Sequence, residues 1–290
     1  MRQRRVRVLI AVAAIVLVAG GWVLNQHRHV PVHDAINPMF WLRRWRGEDL
    51  YDARLRLLYH GSHALKEVAL TIDDGPHEPT DARLLEVLRQ YRVRATFFVI
   101  GENVRQHPEI VRRLLAEGHE IGNHTQAHLR LTTLTPRQVR NEINNCDINF
   151  YRATRRHLRL LRPPGERYSD MVLREARRLG YTTVDETVGA RDYEPVSADF
   201  IVARALRYTE NGSIILLHDE YGATAAALPR IIRSLRRRGY RFVTISEMIV
   251  HLPPALTGRA SVEQSAAPQT ARPRSSAPRA RLPRSWAGGA

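Results

Sequence analysis

Short apolar runs alternate with amphipathic segments along the middle of the chain, between residues 66 and 251. Each run has the length of a strand, and the segment after it repeats its apolar residues at helical spacing. This alternation is typical of βα units arranged around a parallel sheet, and seven units predict a distorted (β/α)7 barrel. The predicted strands cover residues 67–72, 95–100, 119–121, 159–161, 181–184, 213–217 and 241–244.

Local features support the intervening helices. Val104, Val111 and Leu115 fall on one stripe, which predicts a single helix through these residues. Residues 135–138, Thr-Pro-Arg-Gln, combine a capping-box pattern with proline at the first helical position. This combination predicts that a helix begins near residue 136.

The N-terminal 25 residues form a separate unit. Four arginines precede residues 8–24, a run of 17 residues without a polar or charged side chain. At ~1.5 Å per residue, a helix of this length just reaches the lower limit for spanning a bilayer. The arginine excess predicts a cytoplasmic N-terminus, a single-pass anchor in the cytoplasmic membrane and an extracytoplasmic remainder. The alternative is a cleaved signal peptide and a secreted protein, although residues 20–22 make a poor cleavage site.

Residues 26–65 are predicted to form a juxtamembrane or linker segment before a folded domain at residues 66–251. Aromatic residues alternate with arginines at positions 39–45, a pattern that suits a membrane interface. The same pattern suits a segment packed on the outside of the barrel, which is the preferred interpretation.

Residues 252–290 are rich in proline, alanine, serine and arginine, which predicts a disordered basic tail. Much of the net charge of +16 lies in this tail and before the apolar run. That distribution argues against nucleic-acid binding and favours contact of the tail with anionic envelope surfaces, with a merely solvating tail as the alternative. The single cysteine, Cys146, cannot form an intramolecular disulfide, and its spacing predicts a core position on a helix.

Polar residues follow the predicted strands at their carboxyl ends. Because these ends open onto one face of a parallel barrel, the side chains are expected to converge. Two histidines at i and i+4 with a nearby carboxylate can hold a cation, while an adjacent carboxylate faces water. Taken singly, an Asp-Asp-Gly turn or a lone histidine is more often structural. The residues are Asp73 and Asp74 after the first strand, His124 and His128 after the third, Arg162 after the fourth, Asp192 after the fifth and His218 after the sixth.

Five segments together resemble the motifs of the polysaccharide deacetylases, carbohydrate esterase family 4 with its NodB homology domain. Residues 71–76 resemble the first motif, usually written TFDDG, and residues 118–128 the second. Residues 162–165 fit the third, residues 191–193 the fourth less closely, and residues 214–219 the fifth. The resemblance spans roughly residues 66–250, and all five motifs occur in order at the ends of predicted strands.

The resemblance implies a metal-dependent hydrolase that removes N-acetyl groups from an amino-sugar polysaccharide of the cell envelope or extracellular matrix, such as peptidoglycan, a chitin-like polymer or poly-N-acetylglucosamine. It implies that Asp74, His124 and His128 bind a divalent cation, commonly zinc, with cobalt, nickel or manganese as alternatives.

The resemblance also implies the acid and base of the reaction. Asp73 is expected to act as general base, paired with and oriented by Arg162. His218 is expected to protonate the departing amine, with Asp192 raising its pKa.

Substrate contacts follow from the same motifs. Leu216 or Leu217 is expected to line a pocket sized for a methyl group. Pro163, Gly165 and Tyr193 are expected at the substrate groove. Tyr193 stands where the family customarily has tryptophan, and Gly165 where many members have tyrosine. Both differences predict a groove of altered shape.

Two other functions remain open from the sequence. One keeps the site but changes the substrate to another acyl amide or an O-acetyl ester. The other is a membrane-tethered glycan-binding protein without catalysis, which is disfavoured because Asp73 and His218 are needed for chemistry but not for binding a metal.

Overall fold

A computed structural model describes residues 50–257 of the chain. The apolar run at residues 8–24 and the tail from residue 258 lie outside the described residues, so the anchor, the signal peptide and the disordered tail stay predictions. Within residues 50–257, no helix combines the length and the apolar character needed to cross a membrane.

Ten strands form one sheet in the described part of the chain. The seven predicted strands are all present, and their ends lie within two residues of the prediction. Three further strands, β1, β2 and β8, have two residues each, too few for a periodic pattern to reveal them. The strands are β1 (Tyr51–Asp52), β2 (Leu57–Leu58), β3 (Glu67–Asp73), β4 (Thr96–Val99), β5 (Glu120–Asn123), β6 (Leu160–Leu161), β7 (Thr182–Val184), β8 (Val188–Gly189), β9 (Ser213–His218) and β10 (Arg241–Phe242).

The α/β architecture is confirmed, but the strands form an open half-barrel. Their order is β1-β2-β7-β6-β5-β4-β3-β9-β8, with β10 beside β3, and all pairs are parallel except β1 with β2. The chain itself crosses the gap between β7 and β8. The amide of Asp185 donates to the carbonyl of Leu58, and the amide of Thr187 donates to the carbonyl of Ile214.

Nine α-helices lie in the described residues, and proline explains one difference from the prediction. Pro108 ends the helix that was expected to run through residues 104–115, because the residue before a proline is disfavoured in the helical region. The capping box at Thr135 and Gln138 is confirmed. The helices are α1 (Thr80–Gln90), α2 (Gly101–Gln106), α3 (Pro108–Ala116), α4 (Pro136–Thr154), α5 (Asp170–Arg178), α6 (Ala198–Tyr208), α7 (Gly222–Arg237), α8 (Ile245–Val250) and α9 (Pro254–Thr257).

The domain extends beyond the boundaries drawn from the sequence. Strand β2 lies in the predicted linker, yet it pairs with β7 inside the sheet, and Leu57 and Leu58 are fully buried. At the other end, Leu252 is buried and helix α9 follows it. The described residues 50–65 and 252–257 therefore belong to the same folded unit as residues 66–251.

Strand β3 is central and buried along its whole length. Val68, Leu70 and Ile72 join the core formed with the surrounding helices. Burying each such side chain contributes about 1.5–3 kcal/mol. Because side chains alternate along a strand, Thr71 and Asp73 lie on the opposite face, toward the inside of the half-barrel.

Candidate active site

The first aspartate of the pair ends β3 and forms a buried ion pair. Asp73 is 1% exposed, and its Oδ1 accepts a hydrogen bond of 2.8 Å from Nη1 of Arg162. The same Nη1 donates to the hydroxyl of Thr71, at 2.7 Å. Arg162 is fully buried, and its guanidinium stacks over the ring of Phe98, with Cζ 4.3 Å from the ring centroid. Stacking and hydrogen bonding together fix the position of the charge that faces Asp73.

Arg162 also orients a histidine through its backbone. Its carbonyl oxygen lies 2.8 Å from Nδ1 of His124, a buried side chain just past β5. If Nδ1 carries the proton and donates it to this carbonyl, Nε2 keeps its lone pair for a cation. One residue therefore positions both the proposed base and a proposed metal ligand.

Asp74, His124 and His128 converge, as predicted for the metal ligands. Oδ1 of Asp74 lies 3.4 Å from Nε2 of His124 and 3.2 Å from Nε2 of His128. Burial would raise the pKa of Asp74, but His124, His218 and His128 outweigh burial and hold it at about 2. Burial likewise opposes charge on His124, yet the charges of Asp73 and Asp74 raise its pKa. The cluster therefore favours positive charge at its centre.

The geometry of this cluster fits a divalent cation. Oδ1 of Asp74 is buried and has no hydrogen-bond partner, although it faces two imidazole nitrogens. Two ligands at about 2.0–2.1 Å from a tetrahedral zinc ion lie roughly 3.3 Å apart, which matches both distances. Asp74, Thr125 and His128 have φ of 78°, 70° and 54°. Such left-handed backbone is costly for residues other than glycine and is concentrated at functional sites.

A second charged pair stands at the end of β9. Nδ1 of His218 lies 2.8 Å from Oδ1 of Asp192, and the His218 amide donates to Oδ2 of the same side chain at 2.8 Å. The hydroxyl of Thr224 also donates to Oδ2, at 2.7 Å. Burial would lower the pKa of His218, but the hydrogen bond and charge of Asp192 outweigh it and raise the pKa to about 9. Asp192 follows β8, not the fifth predicted strand directly.

The predicted substrate residues occupy different positions around this pair. Tyr193 is 53% exposed and meets the ring of His218 edge-on, at 5.5 Å between centroids. Leu216 lines a cavity of about 450 Å³ beside it. Leu217 instead packs in the core beneath the helices, so only Leu216 of the two leucines faces the cleft. Pro163 is buried, whereas Gly165 is exposed and has open space where a Cβ would stand.

Two acidic residues that the sequence did not single out line the same cavity. They are Glu166 and Glu186, across from the guanidinium-bearing residues Arg191 and Arg204. Burial, with the charge of Glu166 second, raises the pKa of Glu186 to about 7. A cavity with both charges suits a polar ligand such as a sugar.

A buried network behind Asp74 was also missed. His77 joins Asp81 and Asp219: its amide donates to Oδ2 of Asp81 at 2.7 Å, and its Nδ1 lies 2.8 Å from Oδ1 of Asp219. Burial, then the charge of Asp219, raises the pKa of Asp81 to about 8. Asn103 donates to the backbone carbonyl of Asp74, at 2.8 Å. The one available signal was that His77 directly follows the first motif and Asp219 ends the last one; Asp81 carried none.

Known proteins resemble this chain in sequence. The profile of a family described as polysaccharide deacetylase matches residues 60–184. A peptidoglycan-N-acetylglucosamine deacetylase of Bacillus cereus is 39% identical over 189 residues, which cover 63% of this chain and 88% of that protein. The peptidoglycan-N-acetylmuramic acid deacetylase PdaA of Bacillus subtilis is 34% identical over 203 residues, covering 69% of this chain and 76% of that protein.

Solved structures resemble it as well. A pseudoenzyme of carbohydrate esterase family 4 from Bacillus anthracis matches with a TM-score of 0.66 and 28% identity, covering 70% of this chain and 71% of that one. PdaA of Bacillus subtilis, a family 4 carbohydrate esterase, matches with a TM-score of 0.65 and 33% identity, covering 68% of this chain and 86% of that one. An esterase and a pseudoenzyme thus share this fold. The side chains at the ends of β3 and β9 therefore carry the argument for catalysis.

Proposed function

Because the chain belongs to the polysaccharide deacetylase family, and is thus a hydrolase of N-acetyl carbon–nitrogen bonds, we propose that it removes acetyl groups from the amino sugars of peptidoglycan. One observation carries this proposal. Asp73 and His218 are register partners on the adjacent parallel strands β3 and β9, and each is held by a buried partner of opposite charge. A base and an acid therefore stand side by side, next to the Asp74 cluster.

In the proposed reaction, Asp73 takes the proton of the water that attacks the acetyl carbonyl. Its Oδ1 is engaged by Arg162, whereas its Oδ2 lies 3.8 Å from Nε2 of His124, toward the ligand cluster. Fixing one oxygen leaves the other aimed at the place where water must stand. Proximity and orientation of this kind supply much of the rate enhancement of enzymes.

His218 completes the reaction as the acid. Its Nδ1 is engaged by Asp192, so the proton on its Nε2 can pass to the amide nitrogen as the carbon–nitrogen bond breaks. The products are acetate and a free amine on the sugar. A pKa of about 9 keeps His218 protonated at neutral pH.

Asp74, His124 and His128 would hold the divalent cation, with zinc the best match to two imidazoles and one carboxylate. When bound, such a cation supplies Lewis acidity, which polarises the acetyl carbonyl and makes water more acidic. The orphaned Oδ1 of Asp74 supports this assignment.

The cavity lined by Tyr193 and Leu216 supports a sugar substrate. Leu216 supplies an apolar surface for the acetyl methyl group, and the exposed ring of Tyr193 can stack on a sugar face. Gly165 leaves the neighbouring wall open, which suits a polymer that enters and leaves the groove. Peptidoglycan lies outside the cytoplasmic membrane, where the N-terminal sequence pattern would place this domain.

Acetate release by the full chain from peptidoglycan tests the proposal, with chitin oligomers and an O-acetylated glycan as parallel substrates. Activity should disappear on chelation and return with zinc. Asp74→Asn should abolish it, whereas Asp170→Asn, which changes a carboxylate that is 81% exposed on α5, should not. Release of acetate only from the O-acetylated glycan would replace an amidase by an esterase.

The non-catalytic alternative draws support from the resemblance to a pseudoenzyme. Against it, both charged pairs and all three ligands are in place. Binding of peptidoglycan without acetate release, at saturating zinc, would establish this alternative.

A further inference from the structure

A second group of metal-binding side chains lies at the opposite end of the sheet. His60 and His63 precede β3, and Glu210 precedes β9. These strands run parallel and carry the candidate active site at their carboxyl ends. Since β3 has seven residues, its two ends are roughly 20 Å apart, and the second group lies beyond the end opposite that site.

The orientation of His60 resembles that of His124. Its Nδ1 lies 2.7 Å from the carbonyl oxygen of Gly61, which accepts the Nδ1 proton in a metal-binding tautomer. Its Nε2 is buried, has no hydrogen-bond partner, and lies 3.4 Å from Oε1 of Glu210. A lone pair that faces a carboxylate oxygen across this distance is repelled by it, unless a proton or a metal ion lies between them.

His63 supplies the third donor. Its ring centroid lies 4.4 Å from that of His60, and one ligand atom from each of His60, His63 and Glu210 lies within 4.8 Å of the others. The 3.4 Å from His60 to Glu210 equals the Asp74–His124 distance in the first cluster. It also matches the roughly 3.3 Å between two ligands of a tetrahedral zinc ion.

The backbone around these donors is closely packed. The amide of Gly61 donates to the carbonyl of Gly212 at 2.8 Å, and the amide of Gly212 donates to the carbonyl of Glu67 at 2.7 Å. Gly212 has φ of 84°, and a Cβ there would lie 2.6 Å from the carbonyl carbon of Gly61. Only glycine permits this contact. Asn211 donates to the carbonyl of His63, at 3.1 Å, so the two segments are joined on both sides of the donors.

We propose that His60, His63 and Glu210 form a second site for a divalent transition-metal ion such as zinc, which fastens the segment before β3 to the loop before β9. The donor set of two imidazoles and one carboxylate selects such a cation over calcium or magnesium, which prefer oxygen ligands. The site is structural: it joins residues preceding β3 to the sheet and takes no part in deacetylation.

Zinc stoichiometry tests the proposal in the full chain, stripped of metal and dialysed against zinc. The wild type should bind one more zinc than His63→Ala and one more than His128→Ala, and two more than the double variant. His63 is partly exposed, so its removal leaves the core intact. His157→Ala is the matched control, since it removes an exposed histidine outside both clusters and should bind as much zinc as the wild type.

Thermal unfolding provides a readout that is independent of activity. In His128→Ala, zinc should raise Tm by roughly 5–10 °C when its concentration is about 100 times the dissociation constant. The rise should vanish when His63→Ala or Glu210→Gln is added. Unchanged zinc content in His63→Ala, or an equal rise in Tm in the double variants, would overturn the proposal and leave His60 and Glu210 as a simple ion pair.

Discussion

Each of the two charged pairs of the site joins an aspartate to a basic residue, but the two pairs are oriented in opposite ways. In the pair at β3, Asp73 faces the proposed metal ligand His124. The positively charged side chain of Arg162 is buried behind Asp73. In the pair at β9, the histidine faces the cleft at 13% exposure and the aspartate, Asp192, is buried behind it. The rear member holds the front member in position by a hydrogen bond, and at β9 it also raises the pKa of His218. In the proposed reaction, an aspartate therefore serves as the base in one pair and stabilises the acid in the other.

This arrangement solves a problem created by the register of the sheet. Asp73 and His218 are register partners on adjacent strands, and neighbouring strands in a sheet are roughly 5 Å apart. Alone, they would pair with each other, and neither would be available for substrate. Arg162 and Asp192 give each of them a separate partner, so that the proton donor and the proton acceptor remain distinct.

The largest effect is expected at the front of the first pair. Asp73→Asn preserves shape but removes the base, so kcat should fall by about 10²–10⁴-fold. Zinc content should stay unchanged, since the three ligands are untouched. Acetate release and metal analysis on the same preparation measure both. Lost zinc together with lost activity would show that Asp73 is a ligand rather than a base.

Replacement of His218, the front member of the second pair, should have an effect that depends on the leaving group of the substrate. His218→Gln should lower acetate release from an N-acetylated sugar by about 10²–10³-fold, because the amine must be protonated to depart. An activated aryl acetate needs no such proton, so the variant should hydrolyse it nearly as fast as the wild type. Asp73→Asn, in contrast, should lose activity on both substrates.

Equal losses by His218→Gln on the amide and on the aryl ester would contradict the division between base and acid. His218 would then act before the bond breaks, in positioning or in stabilising charge.

A smaller effect on kcat is expected for Arg162, the residue behind Asp73 in the first pair. Arg162→Lys keeps the charge but loses the planar group that stacks on Phe98 and contacts Thr71 and Asp73. Misplacing Asp73 should lower kcat by up to roughly 100-fold. Zinc affinity should change little, since His124 is held by the backbone carbonyl of residue 162.

Arg140→Lys is the control, because Arg140 pairs with Glu175 between helices α4 and α5, outside both charged pairs. A strong loss of zinc in Arg162→Lys, with Arg140→Lys unaffected, would show that the guanidinium also supports the ligands.

The positions of the paired residues after strands predicted that they converge, and the family resemblance implied how they pair. Periodicity located the strands within two residues, and parallel strands bring their carboxyl ends together. The prediction failed where elements are very short. Strand β8 has two residues, yet it carries the chain to Asp192 and closes the side of the site. Strand β2 was assigned to a linker for the same reason.

Contacts between distant segments were equally invisible. His77 and Asp219 meet across 142 positions, and His60 and Glu210 meet from two loops that belong to no motif. The local pattern of apolar and polar residues carries no information about such pairs, because the distance between their members is set by the topology of the whole sheet. The break at Pro108 was different, since the proline stood in the sequence as a boundary that the apolar stripe obscured.

The smallest effect is expected for Asp192, which lies behind His218 in the second pair. Its replacement should shift the pH dependence of the rate rather than abolish activity. Asp192 raises the pKa of His218 to about 9, and the rate should fall as pH rises through that value because the acid loses its proton. Asp192→Asn removes the charge, so the pKa should return toward 6.5 and the alkaline limb of kcat/KM should move to lower pH. Near pH 6 the variant should resemble the wild type, and near pH 8 it should be up to roughly 30-fold slower. Thr224→Val, which removes only one hydrogen bond to Asp192, should shift the limb less.

An unmoved limb in Asp192→Asn would mean that the alkaline limb reports a group other than His218. The buried residue would then control the front residue in the first pair but not in the second.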